Sequence, residues 1–270
     1  MGASAITPRR VPINQIAAAP FDARHMARDL LRSCRSIALA TLDQHSGYPY
    51  STVTNLSVEP DGSPVFYAAG ISLHARNILA DPRISMTLAQ AEGLDVVSER
   101  RMTIVGRALR LEGEAARAAG ERYRRRFAKA SVYIPLKDTL FFRVLIEAIH
   151  LNGGAARNTD QLTARDLQCD LSGTEDLMRH EAEEITCLMA DRETFASLTA
   201  RAGGARGRWR IATIDPEGID LAAERALHRI WFPQRVSTRQ ELRDMLAGLR
   251  AQTPGGAAPV AAMPQGREKN

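Results

Sequence analysis

The chain has 270 residues, 44% of them hydrophobic, 25% charged and 5% aromatic, with a formal net charge of +5 at pH 7. Those proportions fit one large globular domain or two small ones and exclude disorder throughout. No apolar run approaches the roughly 20 residues of a membrane-crossing helix.

Residues 1–20 carry an Arg pair but no continuous apolar stretch after it, so no secretory signal is expected. Ile6 stands where a myristoylation signal wants Ser or Thr, and a cytoplasmic location is expected. Phe21 to Ser33 has helical spacing, with Asp22 placed to cap it. Strands are predicted at Ser36 to Leu42, Tyr50 to Val58 and Val65 to Ala69, joined by turns at Asp43 to Gly47 and Glu59 to Pro64. Three strands with short connections make an antiparallel meander. A helix from Ser72 to Ala80 stops at Asp81-Pro82, because proline disfavours helical backbone in the residue before it. Strands follow at Ile84 to Gln90 and Met102 to Leu111, separated by a polar insertion from Glu92 to Arg101.

A helix is predicted from Glu114 to Ala130. Its Arg122, Arg124, Arg125 and Arg126 spread over more than one face and read as a solvated surface; no nucleic-acid motif accompanies them. In the next strand, Leu140 to Leu151, strict alternation puts His150 on one face with Phe142, Val144, Ile146 and Ala148. Asn158 to Ser172 is polar enough for a linker. Beyond it come a helix from Thr174 to Met189, strands near Arg208 to Ile214, Gly218 to Leu221 and Ala226 to Trp231, and a helix from Ser237 to Leu249. No order is expected after Thr253. The domain reading is a β-barrel-like unit over 21–157, a linker over 158–173 and a smaller α+β unit over 174–252.

Signatures for dinucleotide binding, P-loops, serine hydrolases and zinc proteases are missing, and no catalytic side chain is assigned. Cys34, Cys169 and Cys187 lack CxxC spacing, which argues against disulfides and against a structural metal site. One constellation stands out. A strand ending in small residues, Phe66 to Gly70, runs into Ser72-Leu73-His74-Ala75-Arg76-Asn77, a helix start whose free amides attract anions. The hydroxyl, imidazole and guanidinium there would add donors for a phosphate; the plainer reading is that Ser72 caps the helix while His74 and Arg76 face water.

These stretches, together with Gly47 to Ser51, Leu73 to Ser85 and Ala148 to Gly154, resemble the HugZ branch of the pyridoxamine 5′-phosphate oxidase-like split barrels. The resemblance implies a six-stranded split β-barrel with helices, mainly β and α+β in class, a C-terminal α+β domain, and a homodimer whose interface holds FMN. It places Ser72, His74, Arg76 and Asn77 on the phosphate side and Ser51, Thr52, Val53 and Thr54 along the ribityl chain and ring. It brings Arg101 or Arg107 to the phosphate from the side. Where true oxidases have a strand Arg, a Lys and a Thr-Asn pair, this chain has Ser51, Leu56 and Ala68-Ala69, so oxidation of pyridoxamine phosphate is not expected. The resemblance thus implies an FMN-dependent oxidoreductase of unknown small-molecule substrate. The same branch implies an alternative, a haem-binding or haem-degrading protein with His150 as iron ligand. A third reading is a cofactor-free binding or scaffold module.

Overall fold

The computed structural model describes residues 21–90, 98–154, 158–159, 161–202 and 208–251. The N-terminal 20 residues, most of the 92–101 insertion and the tail from 253 lie outside them. In chain order, helix α1 (Ala23–Ser33) precedes strands β1 (Ser36–Leu42), β2 (Pro49–Val58) and β3 (Pro64–Ala69). Asp22 caps α1 by accepting from the His25 amide at 2.9 Å, as its position predicted. Then follow α2 (Leu73–Ala80), β4 (Arg83–Ala89), β5 (Arg101–Arg110), α3 (Gly113–Arg126), α4 (Ala130–Tyr133), β6 (Thr139–Asn152) and β7 (Asn158–Thr159). The chain continues through α5 (Ala164–Leu167), α6 (Glu175–Arg179), α7 (Glu181–Ala190), α8 (Arg192–Arg201), β8 (Arg210–Asp215), β9 (Gly218–Ala222), β10 (Leu227–Trp231) and α9 (Arg239–Ala251).

Strands β3-β2-β1-β4-β5-β6 run antiparallel in that order, and β6 pairs back onto β3, closing a six-stranded barrel. Alternation fills its interior: Ile37 and Leu39, Met86 and Leu88, Met102 and Ile104 point inward, with Phe66 and Phe142 stacked at 5.5 Å. Burying a side chain of this size contributes roughly 1.5–3 kcal/mol. Leu30 and Leu31 of α1 join the same core. The stretch expected as a linker is fastened to the barrel: Leu167 of α5 enters that core and the Cys169 amide donates to the Asp61 carbonyl at 3.0 Å.

Strand β6 departs from the predicted alternation. Val105 pairs with Ala148 but Gly106 pairs with Ile146, so Glu147 is an extra, bulged residue. Gly106 permits this approach, since a Cβ there would lie 1.9 Å from the Leu145 carbonyl oxygen. Before the bulge Phe142 and Val144 face the core; after it Ile149 and Leu151 do. Ala148 and His150 therefore leave the face they were expected to share with Phe142, Val144 and Ile146.

The second unit is a three-stranded sheet, β10-β9-β8, with α7, α8 and α9 around a core that includes Ile185, Leu198, Ile214, Ile219, Leu221 and Leu242. The helix predicted from Thr174 to Met189 is broken at His180, whose Nδ1 lies 2.9 Å from the Asp176 carbonyl. The arginine run of α3 is not a solvated surface. Arg126 is 1% exposed, Arg122 pairs with Glu59 and Glu181, and Arg125 donates to the Ala212 carbonyl at 2.9 Å, so these side chains bind the barrel to the second unit.

Candidate cofactor site

Strand register defines a face on the outside of the barrel. Inward positions carry large apolar residues, which leaves the alternate positions of β2, β1, β4, β5 and β6 outside. One row across the strands reads Val53, Ala38, Thr87, Thr103, His150; the next reads Ser51, Ala40, Ser85, Val105, Ala148. With strands about 4.8 Å apart, the rows span about 19 Å. His150 is the one ring-bearing side chain in them. Val53 is 73% exposed, so none of the described residues covers this end of the face. A cavity of about 460 Å³ opens on it, lined by Ala40, Leu42, Pro49, Arg83, Val105, Glu147 and Ala148 among others.

The four β2 residues expected along a flavin divide between two faces. Ser51 and Val53 belong to the outer rows. Thr52 and Thr54 pair with Leu39 and Ile37 and point to the other side, where the Thr54 hydroxyl donates to the Tyr67 carbonyl at 3.2 Å.

At the start of α2, Ser72 is the N-cap: its hydroxyl donates to the Ala69 carbonyl at 2.6 Å and accepts from the Ala75 amide at 3.4 Å. His74 Nε2 lies 3.4 Å from the same oxygen, so this pair is brought together as expected. Burial lowers the His74 pKa below its ordinary 6.5 and favours the neutral ring. Arg76 is exposed on the same helix turn. Asn77 corrects the expectation. It is fully buried; its amide nitrogen donates to the Thr41 hydroxyl at 3.1 Å, while its Oδ1 has no hydrogen-bond partner among the described residues. Arg101 begins β5 opposite Asn152, six residues along the strand from Arg107.

Sequence reasoning passed over Ala38, Ala40, Ser85, Thr87 and Arg83. Their signal is present in Ser36-Ile37-Ala38-Leu39-Ala40 and Ile84-Ser85-Met86-Thr87-Leu88, where small residues alternate with large apolar ones. Cys34 and Cys169 are buried thiols, each pushed up to about 11 by burial. Cys169, Asp215 and Glu217 lie close together, but Asp215 is bound by Arg229 and Arg32, and Glu217 by Arg28, so arginines already satisfy both carboxylates. Among the described residues no helix is long and apolar enough to cross a membrane.

The family model described as pyridoxamine 5′-phosphate oxidase matches residues 23–153, which contain the whole barrel from β1 to β6. The protein Atu2129 of Agrobacterium tumefaciens, of unknown function, is 44% identical with a TM-score of 0.79 over 91% of this chain and 100% of its own. A heme binding protein from Mycobacterium smegmatis has the same fold at 24% identity and a TM-score of 0.52, covering 87% of this chain and 98% of that one. The chloroplastic non-canonical heme oxygenase HOZ of Arabidopsis thaliana is 24% identical over 119 residues, 44% of this chain. The chain spans about a third, 36%, of that curated relative. The chain belongs to the pyridoxamine 5′-phosphate oxidase-like split-barrel superfamily.

Proposed function

We propose that this protein binds haem on the outer small-residue face of its barrel, with His150 as the iron ligand and a second copy of the chain covering the face. The observation that carries the reading is the bulge at Glu147, which turns His150 out of the core and onto that face. The residues present fit the group. Ala38, Ala40, Ser85, Val105 and Ala148 leave a flat ring free to approach the strands, and an imidazole is a ligand that haem iron accepts. When bound, haem supplies an iron able to take a further ligand or an electron. The chain's own part is to hold the ring, offer the imidazole and exclude water from one side. Two relatives whose names carry heme support the same reading.

A second reading, FMN with its phosphate at the start of α2, is favoured by the proximity of Ser72 and His74. It has less behind it, because the Ser72 hydroxyl is engaged by backbone, His74 is held neutral and Asn77 is buried. Titrating the purified protein with ferric haem, and separately with FMN, decides between them. The expected result is a saturating Soret change at one haem per chain and no quenching of flavin fluorescence. Quenching by FMN without a Soret change would select the second reading, and no response to either would favour a cofactor-free module.

A further inference from the structure

The cavity on the outer face has a charged wall that the haem reading does not use. Arg83 and Arg107 are directly opposed on β4 and β5, both pointing outward, and Arg83 lines the cavity. Like charges on a direct cross-strand pair destabilise a sheet, and sequences break such local rules chiefly at functional positions. Asp81 offsets the pair only in part: it accepts from Arg83 Nε at 2.9 and 3.0 Å, and three groups carrying two positive charges and one negative leave the wall net positive. Hydrogen bonds from Arg83 and then its charge, with the charge of Arg107 last, hold the Asp81 carboxyl down at about 2. Arg107 makes no ion pair among the described residues. The bulged residue Glu147 lines the cavity with the opposite sign.

We infer that Arg83 and Arg107 are the anchor for the carboxylates at one edge of the ligand, and that Glu147 fixes its orientation by repelling those groups from the rest of the cavity. The inference rests on the haem reading and names which part of the ligand each wall meets. A guanidinium fork matches a carboxylate with two parallel hydrogen bonds. Arg107 lies four residues along β5 from Thr103, the partner of His150, a separation of about 13 Å. One edge of a flat macrocycle thus meets cations while its centre faces the imidazole row.

The test is an absorbance titration of wild type, Arg107→Gln and Arg83→Ala/Arg107→Gln with ferric haem and with its dimethyl ester, which lacks the carboxylates. Both arginines are exposed, and circular dichroism checks that the variants fold. The double variant should bind haem at least tenfold more weakly, Arg107→Gln should fall between, and all three proteins should bind the ester alike. Equal haem affinity in folded variants, or an equal loss for the ester, would overturn the anchor while leaving the haem reading in place. A wild-type protein that binds neither compound would remove both.

Discussion

His74 sits half-buried at the start of α2, and His228 lies partly buried on β10; burial lowers both pKa values below the ordinary 6.5, with Asp29 opposing the shift at His228. A histidine with a depressed folded-state pKa takes its proton more readily when unfolded, so stability rises with pH through this range and is lost on acidification. The unfolding temperature should therefore fall as pH is lowered from about 7 to about 5.5, and His74→Gln/His228→Gln should flatten that slope. A slope unchanged in the double variant would contradict the assignment. Asn77 shows the same physics with a neutral group. Its amide nitrogen finds one partner in the Thr41 hydroxyl, and nothing in the local sequence distinguishes that inward contact from a ligand contact.

At the scale of elements, the Gly106–Glu147 bulge is the feature on which the site turns. Gly106→Ala would bring a Cβ within 1.9 Å of the Leu145 oxygen, so β5 and β6 must separate or re-register. A destabilisation of about 1–3 kcal/mol is expected in urea unfolding, together with weakened haem binding, because a re-registered β6 returns His150 toward the core. Full stability with unchanged binding would show that the bulge does not position His150. Most strands were legible from alternation and turn residues, since Asp43 to Gly47 and Glu59 to Pro64 punctuate a clear period of two. The bulge was not, because one extra residue reverses every later side chain without altering composition; the glycine at 106 was its only local trace. Helix α8 was missed for a related reason: its weakly patterned polar sequence is ordered by Leu198 packing in the second core.

For the whole molecule, the join between the two units is a buried cluster of Arg32, Arg126, Arg229, Asp215 and Asp220. Asp215 accepts from both terminal nitrogens of Arg229 at 2.7 Å and pairs with Arg32 at 3.1 Å. Asp220 meets Arg229 at 3.0 Å, Arg32 at 3.4 Å and Arg126 at 3.8 Å. Three cations share two carboxylates, and burial pushes the Arg126 pKa down to about 10. Removing one carboxylate leaves charge uncompensated, so Asp220→Asn should cost about 3–5 kcal/mol. Because Arg32 belongs to the barrel unit and both aspartates to the second, wild type should unfold in one transition, with Trp fluorescence and circular dichroism coincident. Two separated transitions in wild type would contradict a shared cluster. The charge run of α3 looks solvated in the sequence because its partners are distant in the chain, 59 residues away for the Arg122 pair with Glu181 and 87 for the Arg125 bond to Ala212.

Haem binding at the outer sheet requires His150 to face the ligand. The most direct measurement is the absorption spectrum of the haem-loaded protein compared between wild type, His150→Ala and Ser72→Ala/His74→Ala. A Soret band displaced by His150→Ala and unmoved by the helix-start variant is the expected result. A band that ignores His150, or a protein that takes up no haem, would contradict it.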